Sequence, residues 1–403
     1  MENPLVSIVI PVYNGSNYMR CAIDSALSQT YPDCEVIVIN DGSTDDGKTD
    51  AIARSYGDKI RYLKKENGGV ATAVNMGIKK MKGEYFAWLS HDDMFYSNKI
   101  ELQMKALKKS GNLKSIVHGN FDFYDVETDH KEYVDWPLQY PVEKLEQSVF
   151  PIVFLCMHGS SVLIHKSHFE RCGLYRADLK ATQDSELLFR ILRGQKSVFV
   201  REPLLMVRRH IEQGQKTMKC FPDEYGKMFL NFSEILTNDE KTQLCGSEKN
   251  FYYRVYNQLS AGTVAKDSVK EYFYEKMKNT LSNNKITDMK NLKNLFGNRP
   301  LYLFGAGVYG KLLSRDLKFH GITIDGFIDN DKQKHGKRIE DIMCYSLDDI
   351  DKENSSIIIS MLLADDVRKQ LEKSDAKHIF SYYDCNRLLL MRDPTDFERS
   401  DLF

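Results

Sequence analysis

The sequence predicts an α/β protein: a mostly parallel sheet in its first half, a helical middle, and a second, smaller parallel sheet near its end. Three observations predict it. Short apolar, β-branched runs alternate with helical spacing from Leu5 to Phe95, the order of βα units wound into a parallel sheet. Residues 220–296 turn to lysine, glutamate, asparagine and tyrosine, with helix-like spacing over 252–264 and 269–281. The run Gly305-Ala306-Gly307-Val308-Tyr309-Gly310 then sits between a strand and a helix, as in a Rossmann-like unit. We set the boundaries at 1–218, 219–297 and 298–403.

Leu5 to Ile10 is the first strand, stopped by Pro11-Val12-Tyr13-Asn14-Gly15, and Ser16 to Gln29 carries the apolar spacing of a helix. Glu35 to Asn40 is the next strand, ending in Asp41-Gly42-Ser43, and a second helix runs to about Tyr56. Ile60 to Leu63 is a short strand; Asn67-Gly68-Gly69 turns into a helix over 70–81. Tyr85 to Leu89 is an apolar run that breaks into Ser90-His91-Asp92-Asp93, consistent with a buried strand. Ligands of parallel sheets bind at the carboxyl ends of the strands, where Pro11–Asn14, Asp41–Ser43 and Asp92–Asp93 all fall. Adjacent carboxylates there invite a positive neighbour, and a hard divalent cation prefers such oxygens. A solvated Asp-Asp turn opening the next helix is the plainer alternative.

A chain of 403 residues with 42% hydrophobic and 28% charged residues holds two or three globular domains. A net charge of -1 argues against bulk attraction to nucleic acid. No apolar segment approaches the roughly 20 residues that span a bilayer. Met1-Glu2-Asn3-Pro4 lacks the regions of a signal peptide. Eight cysteines without a CxxC pair read as reduced thiols, so the cytoplasm is expected.

The order PVYN, NDGSTD, NGGVATAVNMGI, LSHDD resembles the N-terminal half of family 2 glycosyltransferases with the GT-A fold, over about 4–210. The resemblance implies an inverting transfer from a UDP-sugar with Mn²⁺ or Mg²⁺. Pro11 and Tyr13 would line the nucleoside, with Tyr13 stacking, and Asn67 joins them on the nucleotide side. Asp41 would accept from the base, a charge-assisted bond; an Asx turn is the alternative. Asp92 would face the donor's ribose and diphosphate, and Asp93 the metal. The chain departs from the family where Ser90 replaces an acid and Val74 an arginine. Asp184 in Gln183-Asp184-Ser185-Glu186-Leu187-Leu188 matches the family's catalytic base, which takes the acceptor's proton; Gln183 stands for the usual glutamate, and a helix cap is the alternative.

Val207-Arg208-Arg209-His210 resembles Tyr-Arg-x-His. It offers His210 to the metal or diphosphate and Arg208 or Arg209 to phosphate, unless it is a surface basic cluster. Residues 113–124 read as one strand, 125–141 as a loop over the site, and His158 as either a site or a structural histidine. The C-terminal unit resembles small Rossmann-like domains of sugar-modifying proteins. Asp329 lies near the distance of about 20 residues expected for a ribose-binding acid, although such units also serve packing or self-association as homo-oligomers. The resulting expectation is transfer to a glycan or lipid-linked acceptor in polysaccharide biosynthesis, at the inner face of the membrane if the acceptor is a lipid. A sugar nucleotidyltransferase would need a Gly-rich, basic signature that PVYNGSNYM lacks. A nucleotide-sugar scaffold is favoured by Ser90 and Val74, and opposed by Asp93 and Asp184.

Overall fold

The run Val6–Val12 forms β1 with every residue buried, as a strand covered by helices on both faces requires. The computed structural model describes residues 3–261, 264–280, 296–319, 321–360 and 365–382, with Cys385 and Leu389. From β1 the chain continues through α1 (Met19–Leu27), β2 (Cys34–Asp41), α2 (Lys48–Arg54), β3 (Arg61–Lys65), α3 (Val70–Lys80) and β4 (Tyr85–Trp88). The sheet order is β3-β2-β1-β4, all parallel, closed at its far edge by the antiparallel β9 (Ile164–His165). Parallel register places the ends of β1, β2, β3 and β4 on one edge, with Val12 beside Asn40 and Asp41 beside Lys65. Val74, the position at which the resemblance leads one to expect arginine, is fully buried.

A second sheet forms from β5 (Met94–Phe95), β7 (Phe121–Asp125), β8 (His130–Val134) and β11 (Leu205–Arg209), in the order β5-β11-β7-β8. Two strands, β6 (Ile116–Gly119) and β10 (Ser197–Val200), pair separately. The expected single strand over 113–124 is therefore two strands in different sheets. The break falls at Asn120, whose fully buried side chain donates to Asp135, Arg201 C=O and Tyr133. The expected loop over 125–141 is in large part a hairpin, with β7 and β8 paired from Phe121↔Val134 to Asp125↔His130. After β5 comes α4 (Lys99–Ser110).

The chain folds into two compact units, Met1–Trp136 with Val142–Ile235 and Val264–Lys266, and Pro137–Pro141 with Leu236–Thr263 and Asp267–Phe403. The helical region beyond residue 218 is thus divided: helix Phe221–Ile235 belongs to the first unit, while Asn238–Cys245, Glu248–Ala261 and Asp267–Asn279 belong to the second. The expected helix over 269–281 ends at Asn279, and its last expected residue lies outside the described residues.

The second unit carries a sheet in the order Arg338–Ile339, Ile342–Tyr345, Gly326–Ile328, Leu301–Phe304, Ser356–Ile359, His378–Ser381. All of its neighbouring pairs are parallel except the first. Helix Val308–Phe319 follows the glycine turn, which matches the Rossmann-like expectation. A Cβ at Gly310 would lie 1.8 Å from the Gly305 carbonyl oxygen, so this glycine is set by close packing of helix on turn. Asp329 Oδ2 accepts from the Ala306 N–H at 2.8 Å and from Lys334 Nζ at 2.9 Å, and Oδ1 from the Asp331 N–H at 2.9 Å. The acid expected to bind ribose braces the glycine turn.

Candidate functional site

Two adjoining cavities open at the shared strand edge of the first unit. The larger, about 600 Å³, is lined by Pro11, Val12, Tyr13, Asp41, Asn67 to Ala71 and others. The smaller, about 260 Å³, is lined by Trp88, Ser90 to Asp93, His158 to Ser160, Gln183 and Asp184 among others. Pro11, Val70, His91, Lys180 and Met218 line both. The strand-end clusters and the Asp184 region, far apart in sequence, share one place.

In the larger cavity the Tyr13 ring is 46% exposed, whereas Asp41 is 3% exposed. Asp41 ends β2 and reaches across the turn after β3. Its Oδ1 accepts from Lys65 Nζ at 2.5 Å and Gly68 N–H at 3.1 Å, and its Oδ2 from Gly69 N–H at 2.8 Å. Lys65 Nζ also donates to Thr72 Oγ1 at 2.9 Å. The carboxylate is thus paired and fixed, and Oδ2 keeps acceptor capacity for one more donor. Sequence reasoning passed over Lys65; the signal was its place at the end of a strand parallel to β2.

In the smaller cavity the antiparallel pairing of β5 with β11 lays Arg208 to His210 against Asp92 and Asp93. Asp93, 4% exposed, accepts the Arg208 N–H at Oδ1, 3.0 Å. Burial and then the charge of Asp92 push its carboxyl well above the usual range. His210 Nε2 lies 3.0 Å from Asp92 Oδ2, so the imidazole pairs with Asp92, not with the Asp93 expected to share a metal with it. The cause is register, which points Asp93 at the β11 backbone. Arg208 donates from Nε to the Asp92 carbonyl at 2.8 Å and stacks 4.5 Å over the Tyr18 ring. Arg209 instead pairs with Glu132 at 2.9 Å over the Phe123 ring. Among the described residues no three His, Cys, Asp or Glu side chains group as a metal site. The neighbouring Asp92 carboxylate and His210 imidazole are nonetheless groups that could hold a divalent cation, whose charge would offset that of a diphosphate.

Asp184 is the second residue of helix Gln183–Leu192. Its Oδ1 accepts from the Ser185 N–H at 2.7 Å. Its Oδ2 faces Gly159, where a Cβ would stand only 2.9 Å from it. Burial raises its pKa, opposed by the bonds from Ser185. His158 accepts the Ser160 N–H at Nδ1, 3.2 Å, and burial lowers its pKa to about 4, so the ring is neutral near pH 7 with its proton on Nε2. Glu224, which the sequence did not single out, accepts the backbone N–H groups of Lys180 at 3.1 Å and Ala181 at 2.8 Å, fixing the segment that leads into Asp184.

Residues 7–173 match the family described as Glycosyl transferase family 2, and residues 298–380 match that described as C2185-like, N-terminal. An uncharacterized glycosyltransferase of Rickettsia typhi is 47% identical over 249 residues, 62% of this chain and 78% of the relative. One of Rickettsia felis is 45% identical over 260 residues, 64% of this chain. The chain spans 43% of that protein's length. A solved structure, S. aureus TarS 1-349 in complex with UDP-GlcNAc, gives a TM-score of 0.47 at 15% identity, covering 68% of this chain and 88% of that one. The chain belongs to the family 2 glycosyltransferases.

Proposed function

We propose that this protein is an inverting glycosyltransferase that moves a sugar from a UDP-sugar to a hydroxyl of a glycan or lipid-linked acceptor, with Asp184 as base. The observation that carries the reading is the meeting of Asp92 and Asp184 in one cavity that opens onto the cavity of Tyr13 and Asp41. The larger cavity takes the nucleoside: Tyr13 offers an exposed ring for stacking, Pro11 and Asn67 line the wall, and Asp41 Oδ2 accepts a ring N–H. Asp184 accepts the acceptor's proton as its oxygen bonds to the anomeric carbon and the bond to the diphosphate breaks. UDP leaves from the opposite face, which inverts the centre. Asp92 and His210 would hold a divalent ion, Mn²⁺ or Mg²⁺, with Asp93 bracing their turn on β11. Such an ion supplies positive charge beside the departing diphosphate.

The test is thermal melting with UDP, GDP, TDP or CMP, each with and without Mn²⁺. UDP with Mn²⁺ is expected to raise the melting temperature, since a ligand at 100 times its Kd adds about 2.7 kcal/mol to the native state. Asp92→Ala is expected to abolish the part that depends on Mn²⁺. Stabilisation by none of the four nucleotides would sink the proposal.

A further inference from the structure

Three buried polar atoms on residues lining the Asp184 cavity have no hydrogen-bond partner in the protein: Trp88 Nε1, Ser160 Oγ and Gln183 Oε1. The residues are 6%, 1% and 5% exposed. Buried polar atoms in native proteins are nearly always paired, and an orphan calls for an explanation. Phenylalanine, alanine and methionine would fill much the same space at these three positions without leaving a polar atom unbonded. The polar versions make sense if a partner arrives from outside. The three belong to separate elements: Trp88 ends β4, Ser160 lies in the 3-10 turn Gly159–Ser161, and Gln183 opens the helix of Asp184.

Local bonding leaves these atoms over. The Ser160 N–H is taken by His158 while its hydroxyl is not. The Trp88 ring is seated edge-on against Tyr175 at 5.7 Å, and the Tyr175 backbone is held by Asn75 from both sides, at 2.8 and 3.0 Å. The indole packs on an anchored neighbour, and its N–H is left unused. Together the set offers a donor, a hydroxyl of either sense and an acceptor. That combination suits a ring carrying several hydroxyl or acetamido groups. A cavity of about 260 Å³ has room for one such ring beside Asp92 and Asp184.

We propose that Trp88, Ser160 and Gln183 read the ring substituents of the transferred sugar and set which UDP-sugar this protein uses. This rests on the donor reading given above. Each atom is buried behind the surface of the cavity its residue lines, so meeting the ring requires Ser160 and Gln183 to change rotamer and the Trp88 ring to tilt. A site built to bond a substrate hydroxyl rejects the analogue that lacks it far more strongly than an apolar pocket does. Sugar choice would thus be decided at positions separate from those that hold the nucleotide.

The test is equilibrium binding to the full chain, with Mn²⁺, of UDP and of UDP-N-acetylglucosamine, UDP-glucose, UDP-galactose and UDP-glucuronate. Trp88→Phe, Ser160→Ala and Gln183→Met are compared with the wild type. The expected wild-type result is a clear ranking among the sugars. Each variant is expected to weaken the preferred UDP-sugar about tenfold, one buried hydrogen bond's worth, and to flatten the ranking, while UDP itself binds within about twofold of wild type. Unchanged UDP binding also shows that the variants fold. A ranking that survives all three changes overturns the proposal, even if transfer to an acceptor falls. So does a parallel loss of UDP binding, or a wild type that binds every UDP-sugar no differently from UDP. A wild type that binds no uridine nucleotide at all would instead overturn the donor reading, and this inference with it.

Discussion

Asp184→Asn is expected to lower kcat for sugar transfer by about 10²–10⁴-fold, the usual contribution of a general base, with Kd for UDP unchanged. The substitution keeps the shape and removes only the ability to take a proton. Because burial raises the Asp184 pKa, the acid limb of the wild-type kcat profile should lie above the ordinary carboxylate range, falling tenfold per pH unit below it. That limb should vanish in the variant. Stability should move the other way. A carboxyl with a raised folded pKa is bound to its proton more tightly in the native state, so its effect on stability becomes unfavourable as pH rises from the unfolded pKa to the folded one. At pH 7 the neutral asparagine should therefore be at least as stable as aspartate. A folded variant that keeps more than a tenth of the wild-type rate would remove Asp184 from the role of base.

Gly310→Ala is expected to destabilise the second unit by about 3 kcal/mol, the upper range for overpacking, whereas Gly307→Ala should cost less than about 0.5 kcal/mol. Both glycines belong to the same six-residue motif. At Gly310 the added methyl meets a backbone oxygen, Gly305 O, at 1.8 Å, with Ser360 Oγ at 3.0 Å. Ser360 Oγ already donates to the Phe304 and Gly305 carbonyls at 2.8 Å each, so the obstacle cannot swing aside. At Gly307 a Cβ meets nothing within 4 Å. Hydrogen exchange of the Leu301–Phe304 amides reads local opening and should accelerate about 100-fold in Gly310→Ala and hardly at all in Gly307→Ala. Equal effects at both positions would refute the packing account.

The first unit was legible in its strands and in the turns that end them. Val6–Val12 and Tyr85–Trp88 are buried on both faces, so they read as continuous apolar runs, and residues such as Asn67-Gly68-Gly69 mark where the chain reverses. Parallel order then puts the polar clusters on one edge from the residue pattern alone. What stayed hidden depends on partners distant in sequence. Asn120 splits a run of β character because its amide meets Asp135 and the Arg201 carbonyl. His210 finds Asp92 rather than Asp93 through the β5–β11 register. Glu224 lies 44 residues from Lys180, in a helix whose local pattern speaks only of its apolar face. The GxGxxG pattern was read correctly as a turn between strand and helix, but periodicity cannot tell that Asp329 is already occupied by Ala306 and Lys334.

The bracing of Gly68 and Gly69 by Asp41 has a kinetic consequence. A mobile turn would have to lose conformational freedom when a nucleotide arrives, and that loss would subtract from affinity. Here the entropy is surrendered once, when the chain folds, because the ion pair with Lys65 and the two amide bonds set the turn in advance. Nucleotide capture at this edge should behave as docking to a rigid cradle: a single-exponential association whose observed rate rises linearly with UDP concentration and does not level off. A plateau in stopped-flow traces would mean that the turn rearranges after encounter. In Asp41→Ala the plateau should appear, as the cradle becomes something the ligand must first assemble.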